Sequence, residues 1–100
     1  MIVKKHTTRD GQLLLAICDS ELKGKKLVEK DLQLDLSSDF YDGEEMSEEE
    51  VRELFKVVYI VNLVGEECIG FAIKAGLIDE KNVIKIAGVP HAECVVVRED

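Results

Sequence analysis

A histidine beside the only proline of the chain is the side chain best suited to chemistry. His91 follows Pro90, whose ring restricts the local backbone, so we expect the imidazole to be held in one place. A neutral imidazole titrates at about pH 6.5 and can serve as a general base or a metal ligand. His91 is therefore our catalytic candidate. The simpler interpretation is that it packs or hydrogen-bonds to shape a turn over residues 88–91.

Asn62 and Glu66 complete a candidate ligand-binding site with His91. Asn62 interrupts an otherwise apolar run over residues 57–64, and a buried amide needs hydrogen-bond partners. Capping the first turn of a helix would supply them, and this is the interpretation that we favour. If Asn62, Glu66 and His91 converged in one pocket, a binding site would be the better explanation.

A basic segment offers a different kind of site. Lys23, Lys25 and Lys26 are candidates for nucleic-acid contacts, because ammonium groups bind phosphates without sequence preference. No aromatic side chain is interleaved with them, and the chain carries a net charge of −8. An acidic chain is not an obvious partner for RNA, so we expect this role to be the less favoured one.

The three cysteines predict neither a disulfide framework nor a metal centre. Cys18, Cys68 and Cys94 are far apart in the sequence, whereas zinc ligands usually come in two close pairs. His91 and Cys94 form one such pair, and no second pair accompanies it. We therefore expect free thiols that pack like small apolar side chains, with no metal and no cofactor.

The elements that must position these side chains follow from the apolar pattern. We place five strands at residues 2–6, 12–18, 32–36, 83–87 and 92–98. A single helical turn is expected at residues 20–23, capped by Asp19. The segments at 13–18 and 94–97 are apolar on both faces, which is typical of strands inside a sheet that is covered on both sides.

A helix is predicted to begin after Ser47. Ser47 and Glu50 have the spacing of a capping box, and three consecutive glutamates suit the positive end of the helix dipole. Residues 57–64 are rich in β-branched side chains, yet no turn residue separates them from this helix, so we interpret them as its continuation. A second helix is expected over residues 62–75, with Gly76 ending it in a Schellman motif.

This order of elements predicts a single α+β domain over residues 1–100. The fold would be a two-layer sandwich, with a mostly antiparallel sheet of about five strands and two helices on one face. Because two helices cannot cover both faces of the sheet, the other apolar face is expected to bind a partner protein or to form a homodimer. No segment approaches the roughly 20 apolar residues of a membrane helix, and no signal peptide is evident, so we expect a cytoplasmic protein.

Five segments together resemble a known family. They are residues 16–25, 40–44, 62–66, 75–79 and 86–92, the last reading Ile-Ala-Gly-Val-Pro-His-Ala. The whole chain is similar to a family of short archaeal proteins classed as a domain of unknown function, number 424. The resemblance implies an archaeal origin and a link to translation, and it supplies no activity and no catalytic residue.

Three hypotheses about function follow. The first is a non-enzymatic protein-binding or adaptor module, with the translation machinery as the expected place of attachment. The second is a small enzyme or ligand-binding protein with a site near His91 and Asn62. The third is an accessory protein that contacts RNA through Lys23, Lys25 and Lys26. No catalytic motif is present in the sequence, and we therefore favour binding over catalysis.

Overall fold

A mixed six-stranded sheet forms the centre of the molecule, whose computed structural model describes residues 1–98. The strands are β1 (Ile2–Thr7), β2 (Leu13–Cys18), β3 (Lys26–Glu29), β4 (Leu32–Asp35), β5 (Glu44–Glu45), β6 (Ile60–Val64), β7 (Ile84–Ile86) and β8 (Val89–Val95). Across the sheet the order is β5-β1-β2-β6-β8-β7, while β3 and β4 form a separate hairpin. All neighbouring strands are antiparallel except β2 and β6, which run parallel.

Two helices cover one face of this sheet, which we name the helix face. They are α1 (Glu48–Phe55) and α2 (Glu66–Lys74), and both pack into one buried cluster with alternate side chains of β2 and β6. The rings of Phe55 and Phe71 join the two helices, with their centroids 5.5 Å apart. The predicted α+β architecture with two helices on one face is confirmed.

The predicted signals at the start of the first helix and at the end of the second are also confirmed. The backbone N–H of Glu50 donates to Ser47 Oγ at 3.2 Å, and the N–H of Ser47 donates to Glu50 Oε1 at 3.1 Å, which completes the capping box. At the end of α2, Gly76 has a φ of +78°. The N–H of Leu77 donates to the carbonyl of Ala72 at 2.9 Å, as a Schellman motif requires.

The interpretation of residues 57–64 as helix was wrong. Helix α1 ends at Phe55, and Ile60–Val64 is strand β6 at the centre of the sheet. The guanidinium of Arg98 donates to the carbonyls of Phe55, at 2.9 Å, and Val58. Backbone oxygens at the end of α1 thus accept hydrogen bonds from a residue some 40 positions away. The sequence around the helix end gives no indication of this contact.

The turn expected over residues 88–91 lies earlier in the chain. Ala87 and Gly88 both have positive φ, 52° and 81°, and they form the two-residue connection between β7 and β8. Positive φ at both central residues is typical of hairpin turns, and glycine adopts it at little cost. Pro90 and His91 therefore lie inside β8, where Pro90 is placed beyond the last residue of β6.

The second face of the sheet is not left bare, contrary to the expectation from the sequence. The β3–β4 hairpin and a 3₁₀ turn at Asp39–Tyr41 cover part of it, and we name it the hairpin face. Leu36 and Tyr41 are 1% and 4% exposed there. They form a second small core together with side chains of the sheet, which are Ile2, Ala16, Cys18 and Val64.

Candidate functional site

Asn62 lies in the middle of strand β6 and does not cap a helix, because α2 begins only after this strand has ended. Its neighbours Val61 and Leu63 belong to the core under the helices, so the alternation of side chains places Asn62 on the hairpin face. The residue is 8% exposed, and among residues 1–98 its side-chain amide has no hydrogen-bond partner. None of its polar atoms is sealed off from solvent. The amide therefore reaches solvent through the small exposed part of the residue.

Asn62 belongs to a row of four cross-strand neighbours, which we name the polar row. Lys4 pairs with Ala16, Ala16 pairs with Asn62, and Asn62 pairs with Glu93. Within the part of the chain that the structure describes, neither Lys4 nor Glu93 forms an ion pair. A cation, an amide and an anion thus follow one another across strands β1, β6 and β8.

Beside the polar row runs a second row, which we name the apolar strip. It consists of His6, Leu14, Ile60 and Val95, each paired in register with the next. The ring of Phe40 stacks on His6 with centroids 4.6 Å apart, and His6 Nε2 lies 2.9 Å from the Phe40 carbonyl. Val95 is 51% and Phe40 is 36% exposed. The strip therefore presents apolar surface across four strands.

His91 shares the hairpin face with Asn62. It pairs with Val64 in β6 and is a diagonal neighbour of Asn62, which pairs with Glu93 two residues further along β8. His91 Nδ1 lies 3.0 Å from the carbonyl of Leu63 and donates to it. This bond orients the ring and requires that Nδ1 carries a proton.

Glu66 lines two cavities, and neither His91 nor Asn62 borders either of them, so the condition of convergence in one pocket is not met there. It is an exposed residue in the first turn of α2. It borders a cavity of about 350 Å³ between α2 and β7, which Ile69 and Val83 also line, and a smaller cavity of about 170 Å³ beside Asp19. Two of the three predicted ligand-binding residues are thus brought together, and the third is not.

The candidate lysines lie at the start of β3 and on the loop that leads into it, and two of them lie beside acidic side chains. Lys23 Nζ is 3.8 Å from an Asp42 carboxylate oxygen. Lys26 pairs across the hairpin with Asp35, whose pKa is lowered by hydrogen bonds from Ser37. The positive charge of two of the three lysines is therefore partly balanced within the chain.

Asp19 is a structural residue whose capping target differs from the one predicted. It was expected to cap the turn that follows it, but its side chain makes no bond there. Asp19 Oδ2 and Oδ1 instead accept the N–H groups of Glu67 and Cys68 at 2.9 and 2.8 Å. A 2% exposed carboxylate from the end of β2 thus caps α2, because parallel strands β2 and β6 end at the same edge.

A carboxylate group forms around this cap. Oxygens of Asp19, Glu21 and Glu67 all lie within 4.8 Å of one another. Carboxylate oxygens suit hard cations such as Mg²⁺ and Ca²⁺. However, both oxygens of Asp19 already accept backbone N–H groups, and Glu21 and Glu67 are exposed. Helix capping and solvation explain this group, and we assign it no ligand.

The buried ionisable groups of both cores are held in their neutral forms. Burial, helped by the Asp19 carboxylate, raises the pKa of the Cys18 thiol to about 11 and that of Cys68 further still. Burial also raises the pKa of the Tyr41 hydroxyl. These groups are suited to packing, and Cys18 and Cys68 are not activated thiols.

Comparison with known proteins agrees with this fold. A family model described as "Protein of unknown function (DUF424)" matches residues 6–97. The chain belongs to this family. The predicted resemblance is therefore confirmed. Three of the five segments that carry it meet at the edge of the sheet where β2 and β6 end. There, Asp19, Gly65, Gly88 and Val89 line a cavity of about 170 Å³.

A solved structure has the same architecture. The chain is similar to an uncharacterized conserved protein from Methanopyrus kandleri, with a TM-score of 0.79 and 29% sequence identity. The match covers 99% of this chain and 94% of that chain. No curated protein matches. In residues 1–98, no helix has the length and apolar character needed to cross a membrane.

Proposed function

We propose that this DUF424 protein is a cytoplasmic protein-binding module whose partner docks on the apolar strip. The observation that carries the proposal is the register of His6, Leu14, Ile60 and Val95, which aligns one continuous row across four strands. The β3–β4 hairpin covers only the neighbouring part of the same face. Contiguous apolar surface of this kind marks interaction sites more often than isolated exposed side chains do.

The geometry supports binding better than catalysis. The Nδ1 of His91 is bonded to the Leu63 carbonyl, which is a sufficient structural role for the ring. The RNA-contacting alternative is less favoured, because Lys23 and Lys26 already lie beside acidic side chains of the same chain. Attachment to the translation machinery stays a prediction about the identity of the partner.

Affinity capture from extract of the native host, with and without ribonuclease, tests this proposal. We expect a defined set of proteins that survives ribonuclease and is lost with Val95→Glu, which places a charge on the strip. Val28→Glu is the matched control, since Val28 is 55% exposed against 51% for Val95. It lies on the outer side of the hairpin, because its neighbour Leu27 packs inward. Both variants are first checked for unchanged melting temperature.

Either of two results would contradict the proposal. Loss of the captured proteins after ribonuclease treatment would favour the RNA-contacting alternative. Partners that are retained equally by Val95→Glu and Val28→Glu would show that the apolar strip is not the docking surface.

A further inference from the structure

Strand β8 has an open edge beyond the short stretch that β7 covers. Strand β7 pairs with residues 89–91 of β8 and no further. Before β7, the chain forms a 3₁₀ turn at Glu80–Asn82 and so lies outside the sheet. Among residues 1–98, the part of β8 over residues 92–95 therefore has a neighbouring strand only on the β6 side.

The hydrogen bonds to β6 show which backbone groups of β8 face this edge. The N–H of Gly65 donates to the carbonyl of Pro90 at 2.9 Å, and the N–H of Val96 also donates on the β6 side, at 2.7 Å. Because successive residues of a strand direct their N–H and C=O groups to alternate sides, those of Glu93 and Val95 point away from β6. In the described chain no residue pairs with them there.

A cavity of about 620 Å³ lies along the same edge. It is bounded by Glu93–Val95 on one side and by residues 76–79 and Asn82 on the other. Its wall includes Ile78, which is 8% exposed and belongs to the core under the helices. Val95, which borders the cavity, is also the last member of the apolar strip. Unpaired backbone groups, an apolar wall and the end of the strip thus meet at one place.

The charge at this edge determines which strand can pair with it. Glu93 is exposed and, within residues 1–98, forms no ion pair, and Asp79 lies across the cavity. Two copies of the chain paired along this edge would bring their Glu93 carboxylates near each other, in a chain whose net charge is −8. Like charges on neighbouring strands are destabilising, whereas opposite charges stabilise the pair. The complementary strand is therefore one from another protein, with a basic residue opposite Glu93.

We infer that the partner protein adds a strand to the open edge of β8, antiparallel to it and in line with β7. Along the partner chain the order is apolar, apolar, basic, opposite Val95, Cys94 and Glu93 in turn. The first and third residues exchange backbone hydrogen bonds with β8, which is the usual basis of affinity in strand addition. The side chain of the middle residue lies on the helix face, beside Cys94. This inference rests on the proposed function and names the binding mode and chemistry of its partner.

The peptide Thr-Val-Ile-Arg-Thr, blocked at both ends, is a probe of this edge. When it is titrated into the isotope-labelled full-length chain, we expect amide hydrogen exchange to slow at Glu93 and Val95. Cys94, whose N–H faces β6, should be unchanged. Methylation of the backbone nitrogen of the peptide's valine or arginine should weaken binding about tenfold, the equivalent of one hydrogen bond. Methylation at the isoleucine is the matched control, because that N–H points away from β8 and its loss should leave the affinity as it is.

An exchange of charge tests the preference for a basic residue. Glu93→Lys should reverse the preference of the chain, so that a peptide with glutamate in place of arginine binds more tightly than the original. Glu66→Lys is the control, because it changes the net charge equally at an exposed position of α2 that does not border the cavity. It should keep the preference for arginine. Thermal melts confirm that each variant is folded.

Three results would overturn the inference. These are unchanged amide exchange at Glu93 and Val95 with the peptide in large excess, equal weakening by all three methylations, and a homodimer of the free chain paired along this edge. If partner capture depends on Val95 while amide exchange at the edge is unchanged, the proposed function stands and this inference falls. If the peptide pairs with the edge while capture ignores Val95→Glu, the inference stands and the apolar strip loses its proposed role.

Discussion

Single residues at the edge where β2 and β6 end are constrained by close contacts. Gly65 has a φ of +117°, and a Cβ placed on it would lie 2.2 Å from Cγ of Asp19. A side chain at this position would therefore collide with the carboxylate that caps α2. The conformation is also one that L-residues with a side chain rarely adopt. The glycine is what lets Asp19 reach the N–H groups of Glu67 and Cys68.

Gly65→Ala is expected to lower the free energy of unfolding by at least about 2 kcal/mol, from strain and a displaced cap. Gly70→Ala is the matched control, because Gly70 lies inside α2 and a Cβ placed on it would meet no atom within 4 Å. There alanine should stabilise the protein by about 0.5–1 kcal/mol. Urea denaturation measures both. Equal effects of the two substitutions on the free energy of unfolding would show that the contact with Asp19 does not cause the loss of stability.

Helix α1 begins with the strongest local signal in the chain. Ser47 and Glu50 exchange hydrogen bonds through backbone and side chain, and Ser47 Oγ lies 3.1 Å from Glu50 Oε1. Hydrogen bonds from the backbone and hydroxyl of Ser47 lower the pKa of Glu50 below its ordinary value of 4.5. The ionised carboxylate is thus favoured in the folded state, so this contact ties the stability of the helix to pH.

Glu50→Gln should be less stable than the unchanged chain at pH 7, because a neutral amide accepts these bonds more weakly. A lowered pKa contributes stability that is present above the unfolded value, here 4.5, and is lost as pH falls through the folded value. The difference between the two proteins should therefore shrink below pH 4.5. Thermal melts from pH 7 downward would measure it, and a difference that stays constant with pH would argue against the carboxylate.

In the molecule as a whole, two cores lie on opposite faces of one sheet. The larger one lies under α1 and α2, and the smaller one lies under the β3–β4 hairpin. Ala16 of the polar row belongs to the smaller core, whereas no residue of the apolar strip does, so partial cover leaves the apolar strip as a surface for a partner. This arrangement requires the hairpin to be a firmly packed layer.

Leu36→Ala should cost about 2–5 kcal/mol, since Leu36 is 1% exposed and fills the smaller core. Leu32→Ala is the comparison, because Leu32 is 49% exposed at the start of β4 and its truncation should change stability by about 0.5 kcal/mol or less. Chemical denaturation followed by circular dichroism measures both. A negligible effect of Leu36→Ala would mean that the hairpin is not an integral layer.

Features that depend on near neighbours in the chain could be predicted from the residues alone. The capping box at Ser47, the Schellman ending at Gly76 and the buried strand before Asp19 are encoded in residues a few positions apart, and all are present. The α+β class followed from the order of these elements. The strands that pair with one another could not be predicted from the sequence, because pairing is decided by segments that are distant in the chain.

The candidate site, by contrast, depends on contacts that only folding creates. Residues 57–64 carry β-branched side chains that fit a strand or a buried helix, and the central place between β2 and β8 selects the strand for Ile60–Val64. That choice moves Asn62 from a helix cap to the polar row. It also transfers the capping of α2 to Asp19, 48 residues before Glu67. A side chain's role depends on which distant strand lies next to it, and only the folded sheet specifies this.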